Sequence, residues 1–161
     1  MDFGRRLFIG FAGAGAASLL LFGRSAGTAA TLHFPVNHTS AEWQRLLGPQ
    51  RYPVLREAAT EPPYTSPLLT EHRKGVFVCA ACANPLYSSA TKFDSHTGWP
   101  SFWQVRPGAT VNRSDNSLMM ERTEVLCARC GGHLGHVFED GPRPTGLRYC
   151  MNGLALNFRA A

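Results

Sequence analysis

The five cysteines of this 161-residue chain fall into two pairs and one single residue. The pairs are Cys79-Ala80-Ala81-Cys82 and Cys127-Ala128-Arg129-Cys130, and each follows a short apolar run and enters a tight turn. Such a turn directs two thiolates towards one point, and two turns complete the tetrahedral sulfur set that Zn²⁺ prefers. A site closed by four cysteines leaves no open position for water, so the ion would be structural. The spacing therefore predicts one structural zinc, held by Cys79, Cys82, Cys127 and Cys130.

Two other uses of the same four cysteines stay open from the sequence. Disulfides would be favoured in an oxidising compartment, and the leader described below points to one. A CxxC pair can also be a redox site, although such a site is typical of a strand–helix–strand context, which these pairs lack. Zinc is the interpretation that the two pairs together favour.

Cys150 is the cysteine outside the pairs. It lies in a strand-like segment, residues 148–152, in which Arg148 and Asn152 project to the same face as Cys150. A cation and an amide donor beside a thiol stabilise the thiolate and make it a nucleophile at neutral pH. A lone cysteine is also commonly a buried core residue, and the pattern leaves both interpretations open.

Two histidines three residues apart, His133 and His136, lie among glycines in a stretch that we interpret as a loop, residues 133–142. Their imidazoles could bind zinc, but four cysteines make that use redundant, and general acid catalysis fits them better. Asp140, in the same stretch, is a candidate to orient one of the rings.

Aromatic residues are concentrated in Gly98-Trp99-Pro100-Ser101-Phe102-Trp103, which we also interpret as a loop. Such rings belong more often to a core than to a pocket. An indole such as that of Trp99 can nevertheless hold an S-methyl group, because sulfur groups make favourable contacts with aromatic rings.

The elements that must position these residues are predicted to be mostly strands. Before Gly75, the pattern predicts a helix over 40–57, with Ser40 as its cap and a break at Gly48-Pro49, and then a proline-rich irregular arm over 61–67. From Gly75 onward, short apolar runs are bounded by glycine, proline, asparagine and aspartate, which is typical of strands. These runs are 76–78, 91–93, 118–120, 125–126 and 154–158. We therefore expect a mainly β catalytic domain over residues 31–161.

Residues 1–30 have the layout of an export signal. Arg5-Arg6 precedes an apolar run, Leu7–Phe22, and a small-residue stretch ends at Ala29-Ala30. The run is shorter than the roughly 18 residues of a membrane span, so we expect no stable membrane insertion after processing. The twin arginines resemble a twin-arginine signal, which exports folded proteins across the bacterial inner membrane. The leader predicts a periplasmic protein cleaved after Ala29 or Ala30, with general secretory export and an uncleaved anchor as alternatives.

Charge and composition argue against a nucleic-acid partner. The formal net charge is +5, but the basic residues are scattered and form no stripe that could follow a phosphate backbone. With 44% hydrophobic residues, the chain can bury a single core. We expect a monomer.

Several ordered motifs together resemble the B-type peptide methionine-R-sulfoxide reductases. Besides the CxxC pairs, the motifs are Thr97–Phe102, His133–Phe138 with the following Asp140-Gly141-Pro142, and Arg148–Asn152. The resemblance covers residues 38–158 and implies an Mss4-like fold of two antiparallel β-sheets with short N-terminal helices and a zinc site. It also implies, as substrate, the R epimer of methionine sulfoxide in proteins, possibly also the free amino acid, and hence protein repair under oxidative stress.

The resemblance also implies roles for single residues. Cys150 would attack the sulfoxide sulfur and become a sulfenic acid, while His136, helped by His133, protonates the departing oxygen. Trp99 would wall the pocket for the substrate methyl group, and Thr97 would belong to the same substrate-binding site. Asp140, Arg148 and Asn152 would tune the nucleophile and the imidazoles.

Thr97 departs from many members of this family, in which a cysteine at that position forms a disulfide with the nucleophile. With the other cysteines on zinc, the resemblance implies that a thioredoxin-like protein or a small thiol reduces the sulfenic acid. The neighbouring His96, where glycine is common, has no assigned role. Two other functions stay open: a zinc-ribbon binding module, which leaves Cys150 and the histidines unexplained, and a periplasmic thiol chaperone or sulfenic-acid scavenger without a methyl pocket.

Overall fold

The structure is a computed structural model that describes residues 32–117 and 121–161. The predicted export signal and the predicted strand at 118–120 lie outside the described residues. Leu32–Ala161 forms one compact unit. Within the described ranges, the helices are too short or too polar to cross a lipid bilayer.

Helix α1 spans Ser40–Glu57 and covers one end of the core with Trp43 and Leu55, which are almost fully buried. It begins at a capping box, in which the Thr39 hydroxyl accepts from the Glu42 N–H (3.3 Å) and the Glu42 carboxylate accepts from the Thr39 N–H (2.8 Å). The cap is therefore Thr39, and the prediction of Ser40 was wrong by one residue. As predicted, the helix breaks at Gly48, whose φ of 68° lies in the left-handed region.

The described residues form two antiparallel sheets, so the expected mainly β fold is confirmed. The smaller sheet has the strand order β2-β1-β9, with β1 Gly75–Cys79, β2 Pro85–Ser88 and β9 Leu156–Ala160. The larger sheet has the order β3-β4-β8-β7-β6-β5. Its strands are β3 Lys92–Phe93, β4 Ser101–Phe102, β5 Thr110–Asp115, β6 Arg122–Cys127, β7 His133–Phe138 and β8 Arg148–Met151. Short 3₁₀ turns connect β2 to β3 (Ser89–Thr91) and β8 to β9 (Gly153–Ala155), and a third, Pro67–Thr70, lies between α1 and β1.

The strand predictions are confirmed at β1, β3, β6, β8 and β9, with ends that differ by a few residues. The loop prediction for 133–142 was wrong in its first half, because His133–Phe138 is β7 in the interior of the larger sheet. Histidine and glycine weaken a local strand signal, but pairing with β6 on one side and β8 on the other makes this segment a strand.

The core lies between the two sheets and is rich in aromatic contacts. Tyr87 of β2 stacks on Phe102 of β4 with ring centroids 4.3 Å apart. Tyr149 and Met151 of β8 point into this core and are buried, and the Tyr87 hydroxyl donates to Met151 Sδ (2.9 Å). Because side chains alternate along a strand, Cys150 faces away from the core and is half-buried.

Candidate active site and metal site

The four paired cysteines converge on one point. Cys79 Sγ lies 3.7 Å from Cys130 Sγ, Cys82 Sγ lies 3.6 Å from Cys127 Sγ, and the four sulfurs all lie within 4.8 Å of one another. A tetrahedral ion with metal–sulfur bonds of about 2.3 Å separates its sulfurs by about 3.8 Å, whereas a disulfide bond needs about 2.05 Å. The cluster therefore fits one metal ion held by four sulfurs and does not fit disulfides.

Backbone hydrogen bonds close each of the two turns. The N–H of Ala83 donates to the carbonyl of Cys79, and the N–H of Gly131 donates to the carbonyl of Cys127, both at 2.8 Å. The pKa of the Cys79 thiol is raised and that of Cys127 is lowered, because the clustered sulfurs share protons through hydrogen bonds. All four can be thiolates together only if a cation balances their charge.

Cys150 lies in a row of side chains that crosses the larger sheet. Its direct cross-strand neighbours are Ser101 on β4 and His136 on β7, and paired residues of antiparallel strands project to the same face. The thiol opens into a cavity of about 140 Å³, which is smaller than most ligand pockets and suits a single side chain. The cavity is lined by Thr60, Trp99, Arg122, Gly135, His136, Phe138, Cys150 and Asn152.

A β-bulge in β7 brings the two histidines to the same face. Val125 pairs with Gly135 but Leu126 pairs with His133, so Leu134 is an extra residue in the ladder. In a regular strand, residues three apart would face opposite sides; here the imidazole centroids of His133 and His136 lie 5.5 Å apart. Any side chain at Gly135 would collide with the backbone, since its Cβ would lie 2.1 Å from the carbonyl oxygen of Cys150.

The carboxylate beside His136 is Asp115, not Asp140. His136 Nε2 lies 2.8 Å from Asp115 Oδ2, which also accepts from Arg122 (2.7 Å). Burial lowers the pKa of His136, and the nearby Arg122 cation lowers it further, while the hydrogen bond to Asp115 works in the opposite direction. The pKa of Asp115 is lowered by hydrogen bonds from Ser117 and then from His136, so Asp115 is ionised beside the ring.

His133 has its own carboxylate, Glu124. His133 Nδ1 lies 2.7 Å from Glu124 Oε1, and Arg113 donates to the other carboxylate oxygen at 2.7 Å. Burial works to raise the pKa of Glu124, but hydrogen bonds from His133 and Arg113 outweigh it and lower that pKa.

Our sequence reasoning missed Asp115, Arg122 and Glu124. A signal was present for two of them. Arg122 and Glu124 stand two apart just before the predicted strand at 125–126, and residues two apart in a strand face the same side. Nothing in the sequence says that β5, which carries Asp115, pairs beside them.

Arg148 lies beside Cys150, as predicted, and Asp140 holds it there. Arg148 donates two parallel hydrogen bonds to the carboxylate oxygens of Asp140, both at 2.8 Å, and its guanidinium lies 4.5 Å from the centroid of the Phe138 ring. Arg148 and Cys150 stand two apart in β8 and therefore share a face of the sheet. The pKa of Arg148 is raised mainly by its hydrogen bonds to Asp140. Asp140 thus acts on the arginine, and the prediction that it orients an imidazole was wrong.

Asn152 lines the cavity, but its amide is used elsewhere. Its Oδ1 accepts from the N–H of Glu61 (3.0 Å), and its Nδ2 donates to the carbonyl of Leu134 (3.4 Å). The predicted amide donation to Cys150 is therefore replaced by two structural bonds, which fasten the proline-rich arm to the bulge of β7.

Glu61, which our sequence analysis did not single out, anchors the arm and the indole of Trp99. It is 4% exposed, and its carboxylate accepts from the N–H groups of Gly153 and Leu154, just after β8. Its carbonyl accepts from Trp99 Nε1 (3.0 Å). The burial of this acid is seen only in the structure, and the sequence shows no more than an acidic residue at the start of the proline-rich arm.

Thr97 contacts the thiol directly, with Thr97 Oγ1 3.7 Å from Cys150 Sγ. His96, next to it, is exposed, lies near Asp94 (3.3 Å), and has a φ of 55°. Glycine adopts this left-handed conformation without strain, whereas a residue with a side chain, such as His96, adopts it only rarely.

The arrangement combines a half-buried thiol, a guanidinium and an imidazole backed by a carboxylate around a small cavity with an indole wall. Such a set can stabilise a thiolate and give a proton to an atom bound beside it. These groups suit nucleophilic attack on a small polarised group that needs a proton as it reacts.

The profile of the SelR domain matches residues 47–160. Proteins named peptide methionine sulfoxide reductase MsrB are similar to the chain over most of their lengths. The one from Leptospira interrogans is 50% identical over 129 residues, covering 80% of this chain and 98% of that protein. The one from Agrobacterium fabrum is 52% identical (76% and 92% covered), and the one from Bradyrhizobium diazoefficiens is 56% identical (71% and 84% covered).

Proposed function

The chain belongs to the SelR-domain family and is a B-type peptide methionine sulfoxide reductase, and on this premise we propose that it reduces the R epimer of methionine sulfoxide in oxidised proteins, with Cys150 as the nucleophile. The observation that carries the proposal is the small cavity in which the Cys150 thiol meets His136 and the Trp99 indole. A methionine side chain is a single flexible group, which a cavity of about 140 Å³ suits.

In the first step, the Cys150 thiolate attacks the sulfoxide sulfur and the oxygen is transferred to Cys150 as the sulfur–oxygen bond of the substrate breaks. Protonated His136 gives its proton to that oxygen. Methionine leaves, reduced by two electrons, and Cys150 becomes a sulfenic acid, oxidised by two electrons. Arg148 supports the thiolate at the start, and Asp115 supports the charged imidazole until its proton has moved.

Three different walls around the cavity would select one epimer, and the family to which the chain belongs makes it the R epimer. The indole of Trp99 would take the methyl group, His136 the oxygen, and the Cys150 thiolate the sulfur. The sulfoxide sulfur carries an oxygen, a methyl group, the methylene of the side chain and a lone pair. When the oxygen and the methyl group take these places and the methylene leads out to the polypeptide, only one epimer presents its sulfur to the thiolate. The lining of the cavity supports this assignment.

The second half of the cycle uses an external thiol. The sulfenic acid and a first thiol give a mixed disulfide and water, and a second thiol then releases the Cys150 thiol and a disulfide of the reductant. Thr97 beside Cys150 has no sulfur to offer, and the other four cysteines are gathered around their own site, which supports reduction by a thioredoxin-like protein or a small thiol.

We further propose that the ion held by the four cysteines is Zn²⁺, as the sulfur spacing supports, and that it is structural. Residues 1–30 support export to the periplasm, cleavage after Ala29 or Ala30, and the twin-arginine route. Folding before export would let the metal load in the cytoplasm and shield its thiolates. The enzyme would then act as a monomer in the repair of proteins damaged by oxidative stress.

The test is to incubate the mature protein with each epimer of a methionine sulfoxide peptide, with and without a thiol. We expect turnover of the R epimer only, and without thiol one methionine per chain together with a sulfenic acid at Cys150, trapped by dimedone and located by mass spectrometry. Cys150→Ser is the matched control and should be inactive. Turnover of the S epimer alone, or an active Cys150→Ser, would contradict the assignment, and a disulfide from Cys150 to another cysteine would refute the external-thiol cycle.

A further inference from the structure

A chain of hydroxyl groups leads from Cys150 to the backbone of Trp99. Thr97 Oγ1 lies 3.7 Å from Cys150 Sγ and 2.8 Å from Ser95 Oγ, and Ser95 Oγ lies 2.7 Å from Ser101 Oγ. Ser101 Oγ in turn lies 3.2 Å from the carbonyl oxygen of Trp99. Ser101 is fully buried and is also the cross-strand neighbour of Cys150, whereas Thr97 and Ser95 are half-buried.

We propose that Thr97, Ser95 and Ser101 form a hydroxyl relay that stabilises the Cys150 thiolate, with Ser95 and Ser101 acting as positioning residues through Thr97. The inference rests on the proposed role of Cys150 as nucleophile. It assigns a use to the threonine that replaces a second thiol: the position holds a hydroxyl donor to the reacting sulfur.

The number of protons in the relay differs between the two states of Cys150. Each hydroxyl has one hydrogen, and the Trp99 carbonyl can only accept. With a thiol, every link is made when hydrogens point from Cys150 through Thr97, Ser95 and Ser101 to that carbonyl. With a thiolate, Thr97 must turn its hydrogen towards the sulfur, so one neutral link further along is lost.

This exchange favours the thiolate. A hydrogen bond to an ionised acceptor is roughly twice as strong as a neutral one, so the gain at sulfur exceeds the loss of one hydroxyl link. When Thr97 turns towards the sulfur, Ser95 donates to Thr97 Oγ1, and this bond orients and polarises the Thr97 hydroxyl and so strengthens its bond to the thiolate. Ser101 in turn donates to Ser95, so the link that is lost is the one from Ser101 to the Trp99 carbonyl. The thiol proton passes to water, which reaches Cys150 because this residue is only half-buried.

Other charged groups around Cys150 act in parallel and set the background for the test. Arg148 shares the Cys150 face of β8 and is itself held by Asp140. His136 lies opposite on β7 with Asp115 behind it, and Arg122 of β6 lines the same cavity. The substitutions proposed next leave all five of these groups in place.

The experiment measures the rate at which iodoacetamide alkylates Cys150 between pH 5 and 10, read on the Cys150 peptide by mass spectrometry in the full-length protein. We expect Thr97→Val, which removes the hydroxyl at nearly constant shape, to move the midpoint of this profile upward by about one pH unit, which lowers the rate about tenfold at pH values below both midpoints. Ser95→Ala should move it upward by about half as much. Thr97→Ser, which keeps the hydroxyl, should leave the midpoint where it is.

The double variant Thr97→Val with Ser95→Ala separates a relay from two independent effects. If Ser95 acts through Thr97, the double variant has the midpoint of Thr97→Val alone. Additive shifts, unchanged midpoints in both single variants, or an equal shift in Thr97→Ser would each overturn the proposal. Should Ser95→Ala lose the native near-UV circular dichroism, Ser101→Ala takes its place. Because alkylation needs no sulfoxide, an unchanged profile in an enzyme that depends on Cys150 would reject the relay and leave the proposed function standing.

Discussion

The four-cysteine site and the Cys150 site use the same side chain in opposite ways. In the first, four sulfurs lie within 4.8 Å of one another and the turns around them are closed by backbone hydrogen bonds. In the second, one sulfur shares its face of the sheet with a guanidinium and an imidazole, lies beside a threonine hydroxyl and opens into a cavity. Sulfurs gathered together require a cation and become unreactive once it binds, whereas a single sulfur beside a cation becomes a nucleophile. What a thiol does is decided by its neighbours.

The largest effect should come from breaking the four-cysteine site. Cys127→Ser removes one of four ligands, and structural zinc in small domains is worth about 10–16 kcal/mol, as much as or more than the roughly 5–15 kcal/mol of a typical domain. We expect loss of the metal, of the native circular dichroism and of activity together, measured with metal analysis and a reductase assay. Cys150→Ser, the same substitution at the cysteine outside the four-cysteine site, should lose activity only. A folded and active Cys127→Ser would show that the site is not structural.

The next largest effect should come from removing the proton donor at the Cys150 site. His136→Asn keeps a polar group of smaller size but no acid, and kcat should fall about 10²–10⁴-fold with the fold and the metal unchanged. Single-turnover formation of methionine measures the step directly. A loss of less than threefold would assign the proton to another group, with His133→Asn as the comparison.

Substitution of Asp115 should shift the alkaline limb of the pH profile of kcat/KM in a defined direction. If protonated His136 is the active form, activity falls as pH rises through its pKa, which burial has already lowered. The hydrogen bond to Asp115 raises that pKa, so Asp115→Asn should move the falling limb to lower pH, with about tenfold less activity per unit on the alkaline side.

Arg122→Gln is the opposed control, since Arg122 lowers the pKa of His136 and its removal should move the same limb to higher pH. A limb that stays in place in both variants would mean that a group other than His136 titrates. A shift in the same direction in both would mean that the ion pair acts only by holding the shape of the site.

The smallest effect on activity should come from Glu61, which touches the Cys150 site only through Trp99 and Asn152. Glu61→Gln replaces a carboxylate that accepts two backbone N–H groups, and should lower the free energy of unfolding by about 1.5–3 kcal/mol. We expect kcat/KM to fall less than tenfold, with urea unfolding as the measurement of stability. A loss of activity as large as that of His136→Asn would place Glu61 in the chemistry itself.

Several features of both sites could be predicted from the sequence because they depend on residues close together in the chain. The CxxC spacing brings two sulfurs into one turn, and strand alternation puts Arg148 on the Cys150 face and Tyr149 in the core. The export signal and the roles of the site residues stay predictions.

The partners of the imidazoles were decided only in three dimensions. Asp115 and Glu124 reach His136 and His133 through pairing of β5, β6 and β7, and the bulge at Leu134 brings the two histidines to the same face. A one-residue change of register would turn these side chains to the other face, and no local pattern specifies that register. Asp140 was misassigned for the same reason: it is near the histidines in sequence, but the sheet places it beside Arg148. Short-range spacing thus determined which cysteines cluster and which one stays single, while sheet pairing decided what surrounds the single one.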